Sequence, residues 1–515
     1  MDTKLLKQKI LDLAIHGKLV PQNPNDESAT VLLEKIRAEK AEKIKKGELK
    51  ADKNDSYIFV GEDNRHYEKF ADGTVKDIED EIPFDVPEGW AWCRFSDCTI
   101  NRDSERKPVS SKDRKDIKKI YDYYGATGIV DKVESYLFDE KLLLIGEDGA
   151  NLLSRSKNNA FIATGKYWVN NHAHVIDATD KDFLEYLKTY INSLILDEFI
   201  TGSAQPKFTQ AALNTLYVPF PPKNEQKRII IEIERIFSII DTLETDKLAL
   251  QTAIKQAKSK ILDLAIHGKL VPQDPNDESA SVLLERLREE KEAKIAKGEL
   301  KRDKNDSYIY KSTTDNCHYE KFNGKEAVCI DEEIPFDIPE NWQWVKLGRI
   351  CTKLVDGDHN PPKGIEEKTD YIMASSRNIN HNTVEDLENV RYLTKEMFEI
   401  ENQRTKATEG DIFFTSVGTL GRSCIYDGSL NICFQRSVSI LKTEIDNKYL
   451  KYFFDSSFYQ NYVVEHATGT AQMGFYLQEM SESYIAIPPI SEQKRIVSKI
   501  EEMFERLDQI QGNLI

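Results

Sequence analysis

"ILDLAIHGKLVPQ" occupies Ile10 to Gln22, and the same thirteen residues return at Ile261 to Gln273. Extended outward, residues 10–59 match 261–310 at 40 of 50 positions, and most differences are mild, such as Lys35/Arg286 and Ile36/Leu287. Further echoes follow in the same order. "EIPFDVPEGWAW" (81–92) answers "EIPFDIPENWQW" (333–344), "TGSAQPKF" (201–208) answers "TGTAQMGF" (468–475), and "PPKNEQKRI" (221–229) answers "PPISEQKRI" (488–496). A period of about 250 residues describes a duplicated half-molecule rather than a solenoid array.

The repeat ends a long helix. Glu225 to His267 contains neither Pro nor Gly, enough for roughly 65 Å of continuous α-helix. Ile233, Ile236, Ile240, Leu243, Lys247, Leu250, Ile254, Ala257, Ile261 and Leu264 recur at spacings of three and four, the seam of a coiled coil. Gly268 stands where a C-capping glycine belongs, with Pro272 just beyond. Displaced by 267 positions, Ile500, Met503, Leu507, Ile510 and Leu514 fall on the first five seam positions; displaced by 251, Leu6, Ile10 and Leu13 fall on the last three. Tail plus head therefore spell a second copy of the central helix. The two copies are expected side by side and antiparallel, closing a quasi-twofold ring.

After each GKLVPQ comes a charged helix, from Ser28 to Gly47 and from Ser279 to Gly298, with apolar residues only in its first turns. Such a helix is a solvated face or a docking surface for a partner. Between the repeats lie two blocks with unrelated middles. Strands are expected at "WAWCRF", "LLLIG" (142–146), "HAHVI" (172–176), "WQWVKLG", "DIFFTSVG" (411–418) and "SVSIL" (437–441), and helices at 181–196 and 447–463.

The division this implies is a helical repeat (1–60), an acidic linker (61–84), a first α/β block (85–220), a central helical spacer (221–310), a second acidic linker (311–336), a second block (337–487) and a distal helix (488–515). The fold class is α+β, two mixed α/β domains separated by two long antiparallel coiled-coil helices with an internal, circularly permuted pseudo-twofold.

Bulk composition narrows the function. Hydrophobic residues make up 40% and charged residues 31%, which describes a soluble protein. No apolar run is long enough for a membrane span, and no secretory leader opens the chain. Seven cysteines without a C-x-x-C pair suit reduced thiols in a cytoplasm and no zinc site. The net charge of −17 argues against nucleic acid until it is located. Residues 62–90 hold ten acids against three bases and 315–340 eight against two, whereas 101–119 hold eight bases against four acids. Binding follows the local patch.

Enzyme motifs fail one by one. "NPPK" at Asn360 to Lys363 has Lys where an adenine methyltransferase needs an aromatic to stack on the flipped base, and no glycine-rich cofactor loop precedes it. "ELK" at Glu48–Lys50 and Glu299–Lys301 resembles part of a nuclease set but is duplicated with the scaffold. No phosphate-binding loop is present. His16 and His267 precede capping glycines and are placed to bond helix carbonyls. What remains is a set of polar, glycine-rich turns carrying Arg, Lys, Asn and Gln beside aromatics, the residue types that clamp phosphates and read base edges.

The doubled order of "VPEGWAW"/"IPENWQW", the G-[ST]-A-Q turn, PP-x-x-EQKRI and a long helix resembles the specificity subunit of type I restriction–modification systems, over nearly the whole chain. The resemblance implies a non-catalytic DNA reader without cofactor. Each block would be a target recognition domain inspecting one half of a split asymmetric site on double-stranded DNA. The helices would space the halves and dock two methyltransferase subunits, to which restriction subunits attach. S-adenosylmethionine, ATP and Mg would serve those partners, in the cytoplasm. Expected DNA contacts are Lys107, Lys112, Arg114, Tyr124, Asn151, Arg155, Lys157 and Asn170 in the first block. In the second they are His359, Asn360, Lys363, Arg377, Asn378, Arg422, Gln435 and Arg436. The alternative is a helical scaffold or adaptor without DNA contact.

Overall fold

The computed structural model describes residues 2–51, 55–202, 205–298, 306–322, 324–469 and 472–514. Two compact units divide the chain at Asp246/Lys247, inside one uninterrupted helix.

In the first unit α1 (Thr3–Ile15) is N-capped by Asp2, whose carboxylate accepts from Leu5 N–H at 3.0 Å. α2 (Ala29–Lys45) begins at the Ser28 cap. α3 (Lys223–Ile266) carries the predicted seam. α1 runs antiparallel to the first part of α3: Gln22, just past its end, donates to Glu225 at 3.0 Å, while Lys7 pairs with Asp241 and Thr3 bonds Glu244. Ile10, Leu11, Ala14 and Ile15 share a core with Ile229, Ile233 and Phe237.

The second unit repeats this with α4 (Ala280–Ala296) and α5 (Ile490–Gly512). Gln273 donates to Glu492 at 2.6 Å and Lys258 pairs with Asp508, so α5 is antiparallel to the second part of α3. Ile261, Leu262, Ala265 and Ile266 pack with Ile496, Val497, Ile500, Met503 and Leu507. Arg228 on Asp26 (2.7 Å) and Arg495 on Asp277 (2.6 Å) complete a matched pair of clasps. The GKLVPQ repeat and the EQKRI repeat are thus two sides of one contact, made once in each unit.

Not every seam position is covered. Ile233, Ile240, Ile254 and Ile500 are buried, and Ile236, Met503, Leu507, Leu6, Ile10 and Leu13 half-buried. Leu243, Leu250 and Ile510 depart from expectation and are 49%, 40% and 45% exposed. Each lies where pairing within its unit runs out. Leu243 adjoins Glu244, opposite the first residue of α1; Leu250 lies two turns before Lys258; Ile510 is in the last turn of α5.

The stretches expected as acidic linkers are sheets instead. β1 (Ser56–Val60), β2 (His66–Phe70) and β3 (Val75–Asp77) form an antiparallel meander. Its acids are paired rather than repelling: Glu68 accepts from Arg94 at 2.8 Å and from Ser56, and Arg65 meets Asp77 at 2.9 Å. Ile58, Ile78 and Trp92 form a small core beneath. Ser307–Lys311, His318–Phe322 and Val328–Cys329 build the same meander, with Lys346 in the place of Arg94 on Glu320 at 2.9 Å.

Each variable block is closed at its base by pairing its first strand with its last. β4 (Ala91–Arg94) pairs with the strand Tyr217–Phe220, and Gln343–Lys346 pairs with Tyr484–Ile487, both antiparallel. Phe84 stacks on His16 at 3.9 Å and meets Trp92 edge-on; Phe336 does the same to His267 and Trp344. His16 and His267 each direct Nδ1 to the carbonyl four residues back, at 2.7 and 2.6 Å. The segment 447–463 is two helices rather than one, because Ser456 takes an extended ψ of 150° and caps the second at Tyr459 N–H. No described helix is long and apolar enough to cross a membrane.

Candidate nucleic-acid interface

Inside the first block, β5 (Ile100–Asn101) belongs to one four-stranded sheet with Leu142–Gly146, Ala160–Ala163 and Ala173–Asp177; Tyr121–Gly125, Gly128–Val133, Phe138–Asp139 and Lys166–Val169 form a second. The decisive pairing is parallel, Trp168 beside Tyr123 and Val169 beside Tyr124. Where it ends, three loops converge. Asn170 N–H donates to Tyr124 O at 3.1 Å, Glu147 N–H to His172 O at 2.9 Å, and Phe208 N–H to Glu147 O at 2.8 Å. Asp148 bridges Lys207, which brings in the turn from Thr201.

The second block repeats this frame bond for bond. Tyr371–Ala374 runs parallel to Asn431–Phe434, and Gln435 N–H donates to Ala374 O at 3.0 Å. Ser416 N–H donates to Ser437 O at 2.9 Å, and Phe475 N–H to Ser416 O at 2.8 Å. Val417 bridges Gly474, which brings in the turn from Thr468. Gly418 is held at φ +85°, with Gln472 Nε2 at 3.1 Å from where a Cβ would stand. The innermost residues of both G-[ST]-A-Q turns, like Glu299–Lys301, lie outside the described residues.

Several expected contacts gather at these rims. Lys107 is exposed, and its backbone is tied down twice: its N–H donates to Val169 O at 3.3 Å, and its carbonyl accepts from Trp168 Nε1 at 2.6 Å. Arg436 is exposed and its N–H bonds Asp358 O, so the His359–Asn360 loop lies beside it. Ser376 N–H bonds Ser437 Oγ at 3.0 Å, bringing exposed Arg377 to the same rim. Gln435 and Arg422 are half-buried there, Arg422 N–H bonding Thr415 Oγ1. His359 is exposed and held by Asp356 at 2.7 Å. Lys112 and Lys363 are exposed on the neighbouring loops. The NPPK stretch is a loop tied down by Arg391, whose guanidinium reaches Pro362 O at 2.6 Å.

Other expected contacts are buried, engaged within the protein or set away from the loop rim. Asn170 is 6% exposed and Asn378 1%. Asn170 Oδ1 accepts from His172 N–H, and Asn378 closes a capping box with Ser375 while its Nδ2 donates to Asp386 O, so both buried amides shape loops. Arg114 is spent on Asp131 at 2.8 Å and Val109 O, and stacks on Tyr123. Lys119, the backbone N–H of Lys132 and Arg114 together hold the Asp131 carboxyl down to about 2. Tyr124 packs against Phe161 and Tyr167, which pushes its phenol above the usual range by burial. Asn151 fastens its own turn to Lys157 O and Asn159. Arg155, at φ +48°, reaches Gln8 of α1 and Asn192 O, and with exposed Lys157 it lines a groove of about 570 Å³ along α1, away from the loop rim.

Sequence reasoning names neither Asp148 nor His172 among the expected contacts. Behind them Asp103, Glu147 and His174 lie close enough to suggest a metal. The chemistry points elsewhere: His174 uses both ring nitrogens, on Asp103 at 2.6 Å and Phe208 O at 2.8 Å, while Arg106 neutralises Glu147 at 2.6 Å. Burial raises the Asp103 carboxyl, but hydrogen bonding and charge from His174 outweigh it and hold it below the ordinary value. The same interior place in the second block is a Ser416–Ser439 hydrogen bond.

Comparison with known proteins agrees with this doubled frame. The family described as type I restriction modification DNA specificity domain matches residues 87–255 and 339–515. The Escherichia coli type I restriction enzyme EcoEI specificity subunit is 26% identical over 590 residues, covering 99% of this chain and 90% of that one. The EcoAI specificity subunit, also from Escherichia coli, is 26% identical over 594 residues, covering 98% and 90%. A chain from a solved structure of a type I restriction–modification system shares the fold with a TM-score of 0.50 at 14% identity, covering 84% of this chain and 94% of that one. The two matched segments together take in well over half of the residues, and the chain belongs to the type I restriction–modification DNA specificity family.

Proposed function

We propose that this chain is the DNA-recognition subunit of a type I restriction–modification complex, in which each loop cluster reads one half of a split, non-palindromic site. The observation that carries the reading is the recurrence of one backbone frame with unlike side chains at its rim: His172 on Asp148 in one block, Ser437 beside Val417 in the other. A shared frame with divergent polar edges suits two readers of different base sequences. Exposed Lys107 and Lys112 beside the first rim, and Arg377 and Arg436 at the second, supply phosphate contacts.

In this reading the chain contributes no catalytic group. Adenine methylation and cleavage belong to two methyltransferase subunits and to restriction subunits, which use S-adenosylmethionine, ATP and Mg. The target adenine must leave the base stack to be methylated, and the pocket that receives it belongs to the methyltransferase. The clasped ends of α1, α3 and α5 are the surfaces offered to two copies of one partner, and the unbroken α3 sets the gap between half-sites.

Methylome sequencing of the host with and without the gene tests this. The expected result is one bipartite adenine-methylated motif that vanishes with the gene. A methylome unchanged by the deletion contradicts the proposal. A scaffold without DNA contact predicts no salt-dependent duplex binding by the assembled complex; the reading here predicts binding that falls steeply with salt.

A further inference from the structure

In the first block the Asp148–His172 couple occupies the rim of the loop cluster and has no counterpart in the second. His172 Nδ1 lies 2.9 Å from both carboxylate oxygens of Asp148. The imidazole is 47% exposed while the carboxylate is 12% exposed. A carboxylate only accepts, so it fixes the proton on Nδ1. In the neutral ring Nε2 then carries the lone pair, and it has no partner among the described residues.

The residue is held rigidly at three further points. Its N–H donates to the buried Asn170 carboxamide at 2.8 Å. Its carbonyl accepts from Glu147 N–H at 2.9 Å. Asp148 is itself anchored through its bridge to Lys207, and Gln205 Nε2 approaches its carboxylate at 3.4 Å. Little conformational freedom is left to lose on binding. At the equivalent backbone positions the second block has Val417 for Asp148 and Ser437 for His172, so the frame is retained while this chemistry is replaced.

We infer that His172 is a specificity-determining residue of the first block, its Nε2 accepting a hydrogen bond from the exocyclic amino group of an adenine or cytosine in the major groove. Only those two bases offer an amino donor there; guanine and thymine present acceptors at the corresponding edge. Asp148 and Asn170 are positioning residues, the first setting the tautomer and the second the backbone. The inference rests on the proposed DNA-recognition function and names the contact that function would use.

The test uses the full chain assembled with its methyltransferase subunits and a panel of duplexes in which each base pair of the motif is replaced in turn. His172→Ala is expected to weaken binding of the cognate duplex about tenfold and to abolish discrimination at one base pair of one half-site, with preference elsewhere intact. Asp148→Asn, which keeps the ring but releases its tautomer, is expected to lose part of the discrimination at that same base pair. If His172→Ala keeps every preference of the wild type, or weakens all duplexes equally as a lost phosphate contact would, the inference is overturned. If the wild-type complex has no sequence preference, the DNA-recognition proposal fails first, and that result is distinct from either of these.

Discussion

Gly17 and Gly268 carry two demands at once. Both adopt φ near +65°, and a Cβ would stand 2.3 Å from Pro87 Cγ at the first and 2.4 Å from Pro339 Cγ at the second. Gly268→Ala is therefore expected to cost roughly 1–3 kcal/mol, read as a lower urea midpoint of the complex. Asp103 makes a prediction about acid. Its folded-state pKa lies below the unfolded value, so its contribution is complete above about pH 4 and is lost as pH falls through the folded value. The melting-temperature gap between wild type and Asp103→Asn should be widest near neutrality and close below pH 4; a constant gap would contradict the assignment. At this scale the sequence shows less than at any other. The capping glycines and helix-end histidines follow from local rules. Whether Asn170 faces a base or a neighbouring N–H depends on where separate loops meet, which no spacing along the chain encodes.

Helices were the most legible elements, because a three-four apolar period records burial directly. α3 was expected over 225–267 and spans Lys223–Ile266. Which seam residues are covered depends on where the partner helix begins, and Leu243, Leu250 and Ile510 fall beyond that reach. The difference is measurable: Ile500→Ala, at a buried position, should cost about 2–5 kcal/mol, and Ile510→Ala no more than about 0.5 kcal/mol, by chemical denaturation. Inserting one heptad at exposed Leu248 should change the spacing tolerated between the halves of the methylated motif; an unchanged spacing would remove the role assigned to α3. The meanders at 56–77 and 307–329 were not legible. Their strands are short and laced with charge, and the alternation is carried by Glu68 and Glu320, buried acids that read as solvent-facing until their partners Arg94 and Lys346 are seen.

For the molecule as a whole, duplication was legible from the first thirteen repeated residues, and it dictates the architecture. Each unit closes its own helix clasp, pairs the first strand of its block with the last, and raises three loops on a parallel strand pair. What is not duplicated is the set of side chains at the two rims, and there the sequence named outward residues such as Lys107, Arg377 and Arg436 together with inward ones such as Asn170 and Asn378. The most direct measurement exchanges residues 85–220 for the corresponding block of a relative, leaves the helices untouched, and sequences the methylome of a host carrying the hybrid. The account predicts that one half of the bipartite motif changes while the other half and the gap stay as they were. A hybrid that changes both halves, or neither, contradicts it.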